Sequence, residues 1–143
     1  MPNIIAITIG DINGVGIDIV IKSWKDKKLN NFILFTNYKK IRKYLSLRKI
    51  NLKLNIVSLE NKKINYDKDK INIYDYKCKT SEENSYKSLK YAYEFCKKNI
   101  CVGIITLPLR KDLINEKINK NFIGHTEFFQ KIDNQKYSNM ILY

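Results

Sequence analysis

This 143-residue sequence is poor in the residues that stabilise small disulfide-bonded or zinc-bound proteins. It has three cysteines, Cys78, Cys96 and Cys101, and a single histidine. The odd cysteine count and the lack of a CxxC pair argue against a disulfide framework and a zinc site, and predict reduced thiols in a cytoplasmic protein. No apolar run approaches the ~20 residues of a transmembrane helix. The start of the chain, MPNIIAITIGD, has no basic n-region and is typical of a strand rather than a signal peptide.

Arginine is also scarce, although the chain is strongly basic. The formal net charge is +13 at pH 7, yet 24 of the 27 basic residues are lysines, scattered along the chain. Nucleic acid or an anionic membrane would suit such a charge. Arginine, however, is the usual side chain for bidentate contacts with base edges. We therefore expect a solvated lysine surface, with neither nucleic acid nor a membrane as a partner.

Apolar runs alternate with helix-periodic segments along the whole chain. This alternation predicts βαβ units and a mainly parallel sheet in one domain. Strands are predicted at 3–10, 31–37, 52–59 and 101–108, with a possible edge strand at 71–76, and helices at 17–26, 38–49, 80–98 and 124–132, with a loop and short helix at 109–118. The run 101–108 is the strongest candidate for a buried strand, and the lysine-rich residues 61–70 are expected to form a solvated loop. The last residues, 138–143, begin a further strand, so the chain looks cut there.

The first stretch that could carry chemistry is the glycine-rich ITIGDINGVGIDIV, which follows a strand and opens a helix. Gly10, Gly14 and Gly16 permit a tight turn and a close approach of the backbone to a ligand. The spacing is not the GxGxxG dinucleotide fingerprint, and no P-loop lysine follows. An anion-binding loop and a turn that needs a positive φ both stay open.

Two cations, Arg110 and Lys111, follow the strand at 101–108. Open α/β sheets bind ligands at the carboxyl ends of their strands. Two cations there would suit a phosphate or a carboxylate. The competing interpretation is a basic surface loop, which is common in a lysine-rich chain.

The single histidine lies in FIGHTEFFQ, where Gly124 precedes His125, Thr126 and Glu127. The apolar residues that follow predict a helix beginning here, with Thr126 as its cap and Glu127 in its first turn. Backbone N–H groups, a hydroxyl and an imidazole would then converge on a point suited to an anionic group. From residue types alone, His125 could equally be part of a structural cap, a metal ligand or a substrate contact.

Together the three stretches resemble the 4-hydroxythreonine-4-phosphate dehydrogenase family of vitamin B6 biosynthesis. GDINGVGID stands where that family has its N-terminal glycine loop, and IITLPLRKDLIN and FIGHTEFFQ match the next two blocks. Some positions depart from the family pattern: isoleucines replace loop prolines, Leu107 replaces a small residue, and Arg110 stands where a histidine is common. Family members are also much longer, so we expect residues 1–143 to be an N-terminal portion, apparently truncated.

The resemblance implies an α/β fold, a three-layer α/β/α sandwich of the isocitrate and isopropylmalate dehydrogenase type, incomplete in this chain. It implies NAD-dependent oxidation, with decarboxylation, of 4-phosphooxy-threonine, using NAD and a divalent metal (Zn, Mg or Co) in a homodimeric complete enzyme. His125 and Thr126 match substrate-binding positions of the family, and Lys111 is a further candidate substrate contact. The metal-binding histidines of the family lie beyond Tyr143, so no metal ligand is expected in this chain.

Two other functions stay open. The chain could be a truncated, non-catalytic remnant that at most binds a phosphorylated metabolite. It could also be a basic nucleic-acid-binding module, which the net charge alone favours.

Overall fold

The computed structural model describes residues 3–60 and 63–142 and shows a parallel sheet with helices on both faces. The strands are β1 (Ile5–Thr8), β2 (Phe32–Phe35), β3 (Leu54–Ile56), β4 (Leu59–Glu60), β5 (Lys63–Ile64), β6 (Ile71–Tyr74) and β7 (Gly103–Thr106). The helices are α1 (Gly16–Lys25), α2 (Tyr38–Leu47), α3 (Ser81–Lys97), α4 (Lys111–Lys117) and α5 (His125–Ile132). The predicted α/β fold with a parallel sheet is confirmed.

The main sheet has five strands in the order β3-β6-β2-β1-β7, and every neighbouring pair is parallel. β4 and β5 form a separate antiparallel pair. None of the helices in the described ranges is long and apolar enough to cross a membrane.

Two apolar cores lie on opposite faces of the sheet, because successive residues of a strand point to opposite faces. In β1, Ile7 belongs to the core shared with α1 and α2, whereas Ala6 belongs to the core shared with α3. Both side chains are at most 1% exposed. A strand buried on both faces reads as an unbroken apolar run, which explains why β1 and β2 were recognisable from the sequence.

A third, smaller core attaches α4 and α5 to α3. Leu89 of α3 packs with Ile114 of α4 and with Phe122, which precedes α5. The ring of Tyr86 meets the ring of Phe128 edge-on, with centroids 5.5 Å apart. Burial of one such large apolar side chain stabilises the fold by about 1.5–3 kcal/mol. α3 therefore fixes the positions of both later helices relative to the sheet.

Two strands occupy positions that the sequence does not predict. Segment 71–76 is expected at an edge, but β6 lies between β3 and β2, and Ile73 is fully buried. The run 101–108 is expected to be deeply buried, but β7 is an edge strand among the described residues, and Ile105 is 43% exposed. Apolar composition shows how much surface a strand could bury, but it does not give the order of strands in a sheet.

Two further expectations differ from the structure. Within the solvated loop expected at 61–70, residues Lys63–Ile64 form β5, which pairs with β4 just before the loop, and Asn61 and Lys62 lie outside the described residues. The strand expected at 138–143 has no regular structure over 138–142, and Tyr143 lies outside the described residues.

α3 begins where the sequence predicts. The Thr80 hydroxyl accepts the backbone N–H of Glu83 at 3.1 Å, as expected for a helix cap. The Glu83 carboxylate accepts the backbone N–H of Lys79 at 2.6 Å, one residue earlier than in the usual capping box. Two backbone donors at the start of this long helix are thereby satisfied.

The chain leaves β1 through a turn that only glycine accommodates well. Gly10 has a φ of +59°, and a Cβ atom there would lie 2.3 Å from the carbonyl oxygen of Pro108. The adjacent N–H of Asp11 donates to that same oxygen at 2.8 Å. The exits of β1 and β7 therefore touch through their backbones.

We expect Gly10→Ala to lower the free energy of unfolding by at least about 2 kcal/mol, because the side chain would meet both strain and a backbone clash. Urea denaturation followed by circular dichroism measures the change. Gly103→Ala is the matched control, since no atom lies within 4 Å of its Cβ position. That variant should change the same free energy by less than about 1 kcal/mol. Equal effects of the two substitutions would contradict the close contact at Gly10.

Candidate functional site

β1 and β7 are the two strands at which the connections of the sheet switch from one side to the other. From β1 the chain passes through α1 to β2 on one side, whereas β7 pairs with β1 on the other. Open α/β sheets bind ligands outside the carboxyl ends of the strands at such a switch point. The loops after β1 and β7 therefore frame the candidate site.

A small cavity of about 160 Å³ lies between these loops and the start of α3. Its lining residues are Asp11, Asn13, Ser81, Glu82, Ser85, Arg110, Leu113 and Ile114. The Ser85 hydroxyl donates to the carbonyl oxygen of Gly10, which ties α3 to the exit of β1. Carboxylates and a guanidinium share the cavity, so its walls do not carry charge of a single sign.

Arg110 is already paired within its own loop. Its Nε and Nη2 atoms donate to the two carboxylate oxygens of Asp112 at 3.1 and 2.7 Å. This pairing raises the pKa of Arg110 and lowers the pKa of Asp112. The two cations expected from the sequence are therefore not equivalent, because the charge of Arg110 is balanced locally.

Lys111 begins α4 and extends to the start of α5. A Cβ atom on Gly124 would lie 3.2 Å from Lys111 Nζ and 3.1 Å from Glu127 Oε2. Lys111 forms no ion pair among residues 3–60 and 63–142. Its ammonium group thus lies against the backbone just before His125, in space that a side chain at position 124 would occupy.

His125 is the first residue of α5, as predicted. Its imidazole is half-buried, and Nε2 is enclosed without a hydrogen-bond partner in the described part of the chain. Burial lowers the pKa of His125, and the nearby Lys111 ammonium lowers it further. Enclosed polar atoms are seldom left unpaired. The Nε2 atom therefore has hydrogen-bonding capacity that the described residues leave unused.

The family described as pyridoxal phosphate biosynthetic protein PdxA matches residues 28–143, which is most of the chain. The chain belongs to this family. Its fold also matches solved structures of two 4-hydroxythreonine-4-phosphate dehydrogenases. The Salmonella typhimurium structure aligns with a TM-score of 0.81 at 19% identity, over 94% of this chain and 46% of that one. The Klebsiella pneumoniae structure aligns with a TM-score of 0.79 at 20% identity, over 92% and 45%.

Curated relatives of this PdxA-family chain bear the name D-threonate 4-phosphate dehydrogenase. The Fusobacterium nucleatum protein is 29% identical over 150 residues, which cover 92% of this chain and 44% of the relative. A Clostridium botulinum protein is 30% identical over 138 residues, which cover 87% of this chain and 41% of the relative. The chain therefore spans less than half the length of the relatives that it matches.

Thr126 does not cap α5, contrary to the sequence-based expectation. Gly124 occupies the N-cap position, and no side chain makes a capping hydrogen bond there. Thr126 instead lines an open cavity of about 400 Å³ with Ile104 of β7 and with Tyr93 and Phe129. Successive residues of a helix point about 100° apart, which explains why His125 and Thr126 do not share one environment.

The described residues do not build a metal site. No group of three or more histidine, cysteine, aspartate or glutamate side chains comes together within 3–60 and 63–142. Asp18, a possible oxygen ligand by residue type, instead accepts the Tyr44 hydroxyl and lies 3.6 Å from Arg48 Nε. Divalent metals need several fixed ligands, so no chemical step is assigned to a metal held by these residues alone.

Two features of the site were not singled out from the sequence. Glu127 approaches Gly124 from the same side as Lys111, although its motif suggested only a favourable helix-dipole position. Ser85 connects α3 to the glycine loop across 75 positions of sequence. A residue pattern could reveal neither, because both contacts join segments that are adjacent only after folding.

We expect the single histidine to titrate below 6.5 and Lys111→Gln to raise its pKa, because one of the two causes of the depression is removed. Proton NMR of the one imidazole measures this directly. Lys120→Gln, at an exposed lysine of the next loop, should leave the value unchanged. An unchanged pKa in the Lys111 variant would place the ammonium elsewhere.

The lowered pKa of His125 also makes the free energy of unfolding depend on pH. Between the folded and unfolded pKa values the unfolded chain binds more protons, so this contribution is complete above about pH 6.5 and declines as the pH falls. His125→Gln should therefore flatten the fall in the free energy of unfolding between about pH 7 and pH 5.

Proposed function

We propose that this chain forms the substrate-binding part of an NAD-dependent dehydrogenase that oxidises and decarboxylates 4-phosphooxy-threonine in pyridoxal phosphate biosynthesis. D-threonate 4-phosphate, named for its relatives, is the closely similar second substrate candidate. Family membership supports the class of reaction. The observation that carries the role of this chain is the Lys111 ammonium, which forms no ion pair in the described residues and lies near the half-buried His125, whose pKa it lowers together with burial.

Both candidate substrates have a carboxylate at one end, a phosphate at the other and a hydroxyl group at C3. Lys111 would bind one anionic end through charge-assisted hydrogen bonds. His125 would hold the C3 hydroxyl, or the substituent at the neighbouring C2, through Nε2, which lacks a partner in the described residues. Thr126 is proposed as a further contact, from the 400 Å³ cavity that it lines.

The complete enzyme is proposed to use NAD as hydride acceptor and a divalent metal, Zn, Mg or Co, as Lewis acid, and to be homodimeric. The described residues provide no cluster of three metal ligands, and the glycine loop lacks the GxGxxG spacing. What they supply is substrate orientation and a partly water-excluded imidazole.

A second candidate applies to the 143 residues by themselves: binding of a phosphorylated metabolite without turnover. The lack of a ligand cluster among the described residues favours it. The two candidates differ in whether chemistry follows binding, so binding and NADH formation have to be measured separately.

We expect purified 1–143 to form no NADH from 4-phosphooxy-threonine or D-threonate 4-phosphate when NAD and Mg²⁺ or Zn²⁺ are supplied. The physical reason is that a Lewis acid cannot be held by one histidine and scattered carboxylates. NADH absorbance is the measurement, with the Klebsiella pneumoniae 4-hydroxythreonine-4-phosphate dehydrogenase as positive control. Turnover comparable to that enzyme would overturn this expectation and assign a metal site to residues of this chain.

We expect 1–143 nevertheless to bind 4-phosphooxy-threonine and Lys111→Gln to weaken that binding by about tenfold or more, because one charge-assisted contact is worth about 1.5–3 kcal/mol. Isothermal titration calorimetry gives the two dissociation constants. Lys120→Gln removes the same charge from an exposed loop and should have less than about a twofold effect. If both variants weaken binding equally, Lys111 acts through net charge and is not a substrate contact.

A further inference from the structure

A second cavity at the carboxyl edge of the sheet has cationic walls. Its volume is about 320 Å³, and its lining includes Lys40 and Lys43 of α2 and Arg48, the residue that follows α2. Asn13, from the loop after β1, and Ser81, the first residue of α3, line this cavity and also the 160 Å³ cavity described above. The two cavities therefore adjoin along the edge where the parallel strands end.

Little negative charge balances these cations. No carboxylate belongs to the cavity lining. Lys40 and Lys43 form no ion pair in the ranges that the structure describes, and Lys40 Nζ donates only to the backbone carbonyl of Lys79, at 3.4 Å. Arg48 lies 3.6 Å from the carboxylate of Asp18, which offsets one of the three charges in part.

The three cations lie on one side of α2 and of its C-cap residue, Arg48, next to the Tyr44 ring. Residues three, four, seven and eight positions apart lie on the same side of a helix, so Lys40, Lys43, Tyr44 and Arg48 face one concavity. The Arg48 guanidinium lies 4.3 Å from the centroid of the Tyr44 ring, and that ring is only 5% exposed. Stacking on a buried aromatic side chain orders a guanidinium that would otherwise be mobile.

We propose that this cavity binds a phosphate-bearing small molecule, with Lys40, Lys43 and Arg48 as its cationic contacts. A phosphate group offers several acceptor oxygens, which suit two ammonium groups and a guanidinium together. The volume is at the lower end of the roughly 300–1,000 Å³ of small-molecule sites, so it holds more than a bare phosphate. Leu47, 74% exposed at the rim, provides apolar surface for the rest of the ligand.

This site differs from the one assigned to the proposed substrate. Its cations belong to α2 and to the residue that follows α2, whereas Lys111 and His125 belong to α4 and α5. The loop after β1 borders both cavities. The proposal therefore does not depend on the proposed dehydrogenase function, and either one can fail while the other holds.

The test is titration of the 143-residue chain with inorganic pyrophosphate and with adenosine 5′-monophosphate at about 150 mM salt, where long-range surface attraction is screened. Heteronuclear NMR should show shifts centred on α2 and the loop after β1. The double variant Lys40→Gln/Lys43→Gln should weaken binding of both probes by about tenfold or more. Adenosine, which lacks the phosphate, should not bind.

The double variant Lys22→Gln/Lys25→Gln is the matched control. It removes the same charge at the same spacing from α1, at exposed lysines outside the cavity lining, and should change affinity by less than about twofold. Equal weakening by the two double variants, no detectable binding of either probe, or loss of binding in Lys111→Gln alone would each overturn the proposal. Circular dichroism of each variant confirms that the comparison is between folded chains.

Discussion

The backbone contact between the exits of β1 and β7 determines where the candidate side chains lie. The Asp11 N–H donates to the Pro108 carbonyl at 2.8 Å, at a place where Gly10 leaves no room for a side chain. Gly16, the first residue of α1, adds a second close contact, because a Cβ atom there would lie 3.0 Å from Leu107 Cβ. The loop after β7 is thereby held against the start of α1, and α4 begins directly from it.

α3 transmits this arrangement to the rest of the site. Its Ser85 hydroxyl holds the Gly10 carbonyl, while Leu89, one turn further along, packs with α4 and with the segment before α5. At the other end, Tyr93 and Lys97 bind the Asp133 carboxylate at 2.5 and 2.9 Å, just after α5 ends. One helix therefore aligns the glycine loop, Lys111 and His125, although these lie in three separate stretches of sequence.

The positive charges differ in whether a nearby carboxylate balances them, which composition does not show. Some cations are paired, such as Arg110 with Asp112 and Lys117 with Glu82. Others form no ion pair in the described residues: Lys43 lines the 320 Å³ cavity, and Lys111 Nζ lies beside Gly124. The expectation that the charge does not serve nucleic acid stays a prediction, but an edge with unbalanced lysines is consistent with a family that acts on phosphorylated metabolites.

The sequence by itself determined the alternation of strands and helices, the cap of α3, the helix that begins at His125 and the family, because all of these depend on residues close together in the chain. It did not determine the order of strands: among the described residues INIY lies in the interior of the sheet and GIIT at its edge, since neighbours in a sheet are chosen by packing across the whole fold. It also misassigned Thr126 as a cap and did not pair Arg110 with Asp112. Only the tertiary structure decided which cations form ion pairs and which imidazole nitrogen is enclosed without a partner in the described residues, because desolvation and ion pairing depend on segments that meet only in the folded chain.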